Sequence, residues 1–138
     1  MTEARRGAEA PETTATIYDR IGGEAGVRRL TGHFYALMDD LPEAAACRAI
    51  HPPSLAQSEQ KLFEFLTGWF GGPQLFVERR GAPMLRQRHM IAEIGAAETE
   101  GWLLCFRRAL AETIADAGIR DAILPQVEKL AHHMRNRP

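Results

Sequence analysis

The stretch Arg80-Gly81-Ala82-Pro83-Met84-Leu85-Arg86-Gln87-Arg88-His89 sets one histidine at the end of a short basic run, beside Met84, Leu85 and Met90. Pro83 has no backbone N–H to lose and a φ already near the helical value, so it suits the first position of a helix. The expectation is a short helix from Pro83 to about Met90. His89 then lies near a helix C-terminus, and two readings stay open. A partly exposed imidazole there stabilises the negative end of the helix dipole. A neutral imidazole is instead a good metal ligand, with its second nitrogen bonded to a backbone carbonyl that fixes the tautomer. Isolated histidines are more often the former.

Working back from this stretch, residues 74–82 read as a less regular segment, and Gly71-Gly72-Pro73 is expected to end a preceding helix. Ser54 and Gln57 make the S-x-x-Q capping pattern that opens that helix. Its stripe is Leu55, Ser58, Leu62, Phe65, Leu66 and Trp69, with one polar member. Before it, Val27, Leu30, Phe34, Leu37 and Leu41 recur at steps of three and four, one face of a helix over roughly 24–40. Pro42 starts a short segment that ends at His51-Pro52-Pro53. Working forward, a helix over about 98–117 carries Trp102, Phe106, Leu110 and Ile114, with Gly118 as its C-terminal cap. The last helix shows Ile123, Val127, Leu130 and Met134; Pro125 requires a start near 122–124 or a kink. No internal repeat and no sheet-forming alternation occurs, so the class is all-α, with five or so helices.

At 138 residues the chain is one domain, read as a flexible tail over 1–15 and a folded unit over 16–138. A net charge of −1 argues against a nucleic-acid binder, which needs a basic face. No apolar run reaches the roughly 20 residues that span a bilayer. The opening MTEARRGAEAPETTAT lacks the apolar centre of a signal peptide. Cys47 and Cys105 form no CxxC pair and read as reduced, packed thiols. The expectation is a cytoplasmic domain with neither membrane nor nucleic-acid partner.

Three further residues attract chemistry. Tyr35, beside Phe34, carries a hydroxyl that needs a partner if buried, or else a tip that reaches solvent. Trp102 has a donor-only indole N–H, although one tryptophan on an apolar stripe is ordinarily plain core. His51, held extended by Pro52, sits at a corner between helices, where a surface histidine is the plainer reading. His132 and His133 are neighbours about 100° apart on a helix, so they do not chelate together and read as a solvated helix end.

Taken together, these residues resemble one family. Ile17-Tyr18-Asp19-Arg20-Ile21-Gly22-Gly23 resembles the start of truncated haemoglobins, and Phe34-Tyr35 the aromatic pair of their distal helix. Trp69-Phe70-Gly71-Gly72-Pro73 resembles the end of the helix covering the haem, and Arg80 to His89 the run into the proximal histidine. Trp102-Leu103-Leu104-Cys105 resembles the tryptophan-bearing start of the next helix. The matches cover about residues 16–134 in order, and Tyr35, Trp102 and the arginine-rich lead to His89 resemble group II in particular.

The resemblance implies a two-over-two helical sandwich around a b-type haem, with His89 as the proximal ligand of the iron. Helix 54–70 then lies over the distal side. Ser58 takes the position where other globins often carry a histidine or glutamine, and Leu62 lies one turn further in. Dioxygen on ferrous iron carries partial negative charge on its outer atom, which Tyr35 and Trp102 are placed to meet as donors. Lys61 and Arg88 are the candidates for pairing with the haem propionates. Phe34, Leu62, Phe65, Leu66, Phe70, Leu75, Phe76, Met84, Leu85, Ile94 and Phe106 are the candidate walls.

The chain departs from the family's pattern at three places. His51 stands where phenylalanine or tyrosine is usual, and could donate to a ligand, couple to Tyr35 or act as a sixth ligand. Ala82 replaces a histidine, and Ile91-Ala92 a proline-phenylalanine pair, which leaves the shape of the proximal side open. The leading expectation is binding of dioxygen or another diatomic, with slow release suiting a sensor, scavenger or redox protein rather than a transporter. The alternative is a haem redox enzyme, a nitric oxide dioxygenase or peroxidase-like, which would draw electrons from an external reductase. The expected assembly is a monomer or a weak homodimer.

Overall fold

The step of three and four that starts at Val27 becomes helix α2, Gly23–Asp40, with Val27, Leu30, Phe34, Tyr35, Leu37 and Met38 buried along one face. The structure is a computed structural model and describes residues 15–138. The tail expected over 1–15 lies outside them, but for Ala15. A short α1, Ile17–Arg20, precedes α2 and is closed by a reciprocal cap between Thr16 and Asp19. After α2 come a 3-10 turn, Pro42–Ala44, and α3, Ala45–Ala49. Next are α4, Ala56–Trp69, α5, Leu75–Arg80, and α6, Leu85–Arg88, which runs into a 3-10 turn, His89–Ile91. Two long helices finish the chain: α7, Ala96–Thr113, and α8, Ala117–Met134.

Helix α2 packs on both α4 and α7, and α7 packs on α8, giving the two-over-two sandwich without a strand among the described residues. Its centre is Leu30, Phe34, Met38, Phe63, Leu66, Leu103, Phe106 and Leu110, all nearly inaccessible. Burying such a side chain stabilises the fold by roughly 1.5–3 kcal/mol each, before entropy is counted. Gly26 fixes how closely α1 meets α2: a Cβ there would sit 1.9 Å from the Ile21 carbonyl oxygen. Gly101 does the same for α7 and α3, where a Cβ would meet Ala44 Cα at 3.2 Å and Cys47 Cβ at 3.3 Å. No helix among the described residues is long and apolar enough to cross a membrane.

Several boundaries differ from the sequence expectation, each for a local reason. The Ser54–Gln57 cap does not form. Leu55 is already close to helical (φ −89°, ψ 0°) and caps α4, while the Ser54 hydroxyl accepts from Ala56 N–H at 3.3 Å. The buried face of α4 is Phe63, Glu64, Leu66 and Thr67; the expected stripe of Leu62 and Phe65 is half-buried and Trp69 is 40% exposed. Pro83 does not begin the next helix, because Met84 adopts a left-handed conformation (φ 39°, ψ 51°) and α6 starts after it. Gly118 is not a C-terminal cap. Ile114 turns extended and ends α7, and Arg120 donates to the carbonyls of Ile114 and Ala115 at 2.6 and 2.8 Å. The Asp116 carboxylate then accepts from Ile119 N–H and starts α8, with Gly118 in its first turn. That helix runs through Pro125; both Pro125 and Asp121, whose carbonyl the missing N–H would have met, lie on the exposed side, where the loss of one bond costs least.

Candidate functional site

His89 ends α6, and its Nδ1–H donates to the Leu85 carbonyl, one turn back, at 2.6 Å. That bond fixes the tautomer and leaves Nε2 with a free lone pair. His51, at the end of the α3 corner, does the same: its Nδ1–H donates to the Cys47 carbonyl at 2.8 Å. The His51 pKa lies below its ordinary value. Burial is the larger cause of that lowering and Arg48 adds to it, against the bond to Cys47. Neutral His51 therefore presents Nε2 as an acceptor.

Tyr35 stands beside this pair. Its ring meets His51 edge-on at 5.8 Å and Phe34 edge-on at 4.7 Å. Burial raises its pKa, with Cys47, Glu59 and Cys105 adding to the effect, so the phenol keeps its proton and stays a donor. Trp102 is half-buried, stacks flat on Phe106 at 5.3 Å (4° between planes) and leans on Phe34 at 5.0 Å. Beneath them Cys47 and Cys105 are free thiols, which burial pushes up to about 12 and about 11. Both stay protonated and unreactive at neutral pH. Tyr35 and Trp102 thus both rest on Phe34, and His51 joins them through Tyr35, the group being carried by α2, the corner after α3, and α7.

The remaining candidates are more dispersed. Ser58 and Leu62 are half-buried on α4, Lys61 is exposed there, and Phe65 meets Phe76 edge-on at 6.2 Å. Phe76 is buried, Leu85 half-buried and Met84 exposed. The guanidinium of Arg88 lies 5.1 Å over the Phe76 ring and donates to the carbonyls of Pro83 (2.7 Å), Arg80 and Ala82 (2.9 Å each). It thereby ties the loop that leads into α6. A cavity of about 200 Å³ opens between Phe65, Trp69, Phe76 and Pro83. His132 and His133 are exposed in the last turn of α8, and no three His, Cys, Asp or Glu side chains among the described residues form a metal cluster.

One polar network was not read from the sequence. Glu64, 2% exposed, receives Arg80 Nε at 2.6 Å, Arg79 at 3.1 Å and Gln60 at 2.9 Å, and Gln60 in turn accepts from Arg28 at 2.8 Å. Burial alone would raise its pKa; the bonds from Arg80, Gln60 and Arg79 outweigh it and hold the carboxyl down to about 2. The chain links α2, α4 and α5 behind the candidate walls. The available signal was a carboxylate set between Phe63 and Phe65 with an arginine pair downstream.

The family model for the bacterial-like globins matches residues 16–136. The chain is 33% identical over 119 residues to the group 2 truncated hemoglobin YjbI of Bacillus subtilis (strain 168), covering 86% of this chain and 87% of that protein. The chain belongs to the group II truncated haemoglobins. Its fold matches the group II 2-on-2 hemoglobin of the plant pathogen Agrobacterium tumefaciens with a TM-score of 0.89 and 58% identity, over 91% of this chain and 97% of the other. The cold-adapted truncated hemoglobin of the Antarctic marine bacterium Pseudoalteromonas haloplanktis TAC125 gives 0.87 and 36%, over 90% and 100%. Globin membership carries haem binding, and the donor set suits it: a histidine of fixed tautomer with a free Nε2, and apolar side chains (Leu62, Phe65, Leu85, Met84) that the chain itself leaves partly uncovered.

Proposed function

We propose that this globin holds a b-type haem through His89 Nε2 and takes a diatomic ligand, dioxygen foremost, on the side of Tyr35, His51 and Trp102. The observation that carries the reading is the His89 Nδ1–H bond to the Leu85 carbonyl, which in the neutral imidazole puts the proton on Nδ1 and leaves the Nε2 lone pair for a metal. When bound, the haem supplies a ferrous iron with an open coordination position. The chain supplies the setting. The protonated Tyr35 hydroxyl and the Trp102 indole N–H are donors for the outer atom of a polarised ligand, each such bond contributing about 1.5–3 kcal/mol. Neutral His51, with Nδ1–H engaged by Cys47, accepts rather than donates, so its Nε2 either competes with the ligand for the single Tyr35 proton or serves as a sixth ligand. Ser58 and Leu62 border the ligand's way in, Phe34, Phe65 and Phe76 wall the pocket, and Lys61 and Arg88 are the propionate partners; Arg88 already spends two of its nitrogens on the loop.

The same donors polarise an O–O bond, so the redox alternative uses the same residues together with an external reductase. We place the protein in the cytoplasm as a monomer or weak homodimer, in keeping with its buried free thiols. The test is the absorption spectrum. Purified protein shows a haem Soret band, five-coordinate or six-coordinate, and His89→Ala loses it or takes haem only weakly. A protein that refuses haem, or a His89→Ala variant that binds it unchanged, overturns the reading. Peroxide turnover with a chemical reductant separates the enzyme from the carrier.

A further inference from the structure

No side chain of α6 or of the 3-10 turn His89–Ile91 is fully buried and only Leu85 is half-buried, so packing within the chain does little to fix where His89 stands. Polar ties do. On one side Arg88 binds the carbonyls of the 80–83 loop. On the other side the ties all go to residues 133–137. Asn136 Nδ2 donates to the Ala92 carbonyl at 2.9 Å and to the His89 carbonyl at 3.4 Å, while its Oδ1 accepts from Ile94 N–H at 2.9 Å. The backbone N–H groups of Asn136 and Arg137 both donate to the Ile94 carbonyl, at 2.8 and 3.0 Å. Arg86 reaches across to the carbonyls of His133 at 3.1 Å and Arg135 at 3.4 Å. One amide side chain thus engages three backbone groups of the segment that begins at His89 itself.

We infer that Asn136 is a positioning residue for the proximal histidine: with Arg86 it straps the His89–Ile94 segment to the end of α8 and sets the orientation and rigidity of the imidazole. The inference rests on His89 as the haem ligand. An amide is suited to the task because it donates and accepts from one planar group; alanine does neither, and aspartate keeps only the acceptor.

The test uses the full-length, haem-loaded protein with Asn136→Ala, Asn136→Asp and His89→Ala variants. Three readouts are taken: haem transfer to an excess of a scavenging apoglobin, the iron–histidine stretching band of the ferrous protein by resonance Raman, and amide hydrogen exchange over residues 89–95. Expected for Asn136→Ala are haem release faster by about tenfold, a shifted or broadened iron–histidine band, and faster exchange at 89–95, with α2 and α7 amides unchanged. Asn136→Asp, which retains the Ile94 tie, falls between parent and alanine. Release within twofold of the parent, an unmoved band and unchanged exchange in Asn136→Ala overturn the strap while leaving the haem reading intact. A His89→Ala variant that keeps its haem normally overturns the haem reading instead, and the exchange data then still judge the strap.

Discussion

Replacing Glu64 by glutamine keeps the shape of the side chain and removes its charge from the face of α4 where Arg80, Arg79 and Gln60 converge. The carboxyl is held at about 2 in the fold, against an ordinary value of 4.5. By linkage that difference contributes about 3 kcal/mol to stability at neutral pH. The arginines are not fully desolvated, with Arg79 52% and Arg80 30% exposed. Solvent screens the pair through them, so about 2 kcal/mol is the better figure. For a chain of this length that corresponds to a melting temperature lower by about 7 °C. The sign of the pH dependence follows from the depressed pKa. The contribution is complete above the unfolded value, and it is lost as protons enter the carboxyl between pH 4.5 and pH 2. Urea unfolding of parent and Glu64→Gln at a series of pH values checks this. The difference between them is about 2 kcal/mol at pH 7, has fallen to about half by pH 3, and tends to zero as the parent becomes protonated. Contributions of the haem are common to both proteins and cancel in the difference. A gap of the same size at pH 7 and pH 3 refutes the electrostatic account and assigns the loss to packing.

Tyr35→Phe and Trp102→Phe each speed dioxygen release by roughly ten- to a hundredfold in stopped-flow measurements, the rate equivalent of losing one donor to a charged acceptor; unchanged rates remove that residue from the ligand's surroundings. His51 gains a second N–H donor only when protonated, and burial keeps its titration below 6.5. Dioxygen release therefore slows as pH falls through that region and is flat in His51→Ala, whereas a parent already flat from pH 8 to pH 5 dismisses the effect. Gly26→Ala forces a Cβ to within 1.9 Å of the Ile21 carbonyl oxygen, so α1 must separate from α2. Thermal unfolding of that variant shows a loss of about 3 kcal/mol or more, and a loss under 1 kcal/mol shows that the contact relaxes freely.

What could be read in advance was whatever repeats locally or carries a motif. The stripe from Val27 to Leu37 has a period that only a helix satisfies, and α2 begins and ends within a residue of its expected limits. The place of His89 at the end of a short helix was legible because Arg80 to Arg88 lead into it in order, and the place of His51 at a corner because two prolines mark it. Features that depend on distant partners were not. Glu64 looks like one solvated position in a helix until the chain folds back and brings Arg79 and Arg80, 15 and 16 residues on, against it. Asn136 meets the His89–Ile94 segment from 42 to 47 residues away, and no pattern near either end announces the meeting. The misplaced helix limits have a third cause. Ser54, Pro83 and Gly118 all have the right chemistry for the ends assigned to them, but Leu55, Met84 and Asp116 settle the backbone first.

The tie from Asn136 to the His89 carbonyl spans 47 residues of sequence, which gives it a consequence in time as well as in space. A ribosome adding about 5–20 residues per second needs roughly 2 to 9 s to travel that distance. Throughout that interval the nascent chain already contains His89 but not the residue that ties its carbonyl. With His89 as the iron's ligand, firm capture of the haem is expected to wait until the residues that close α8 have been made.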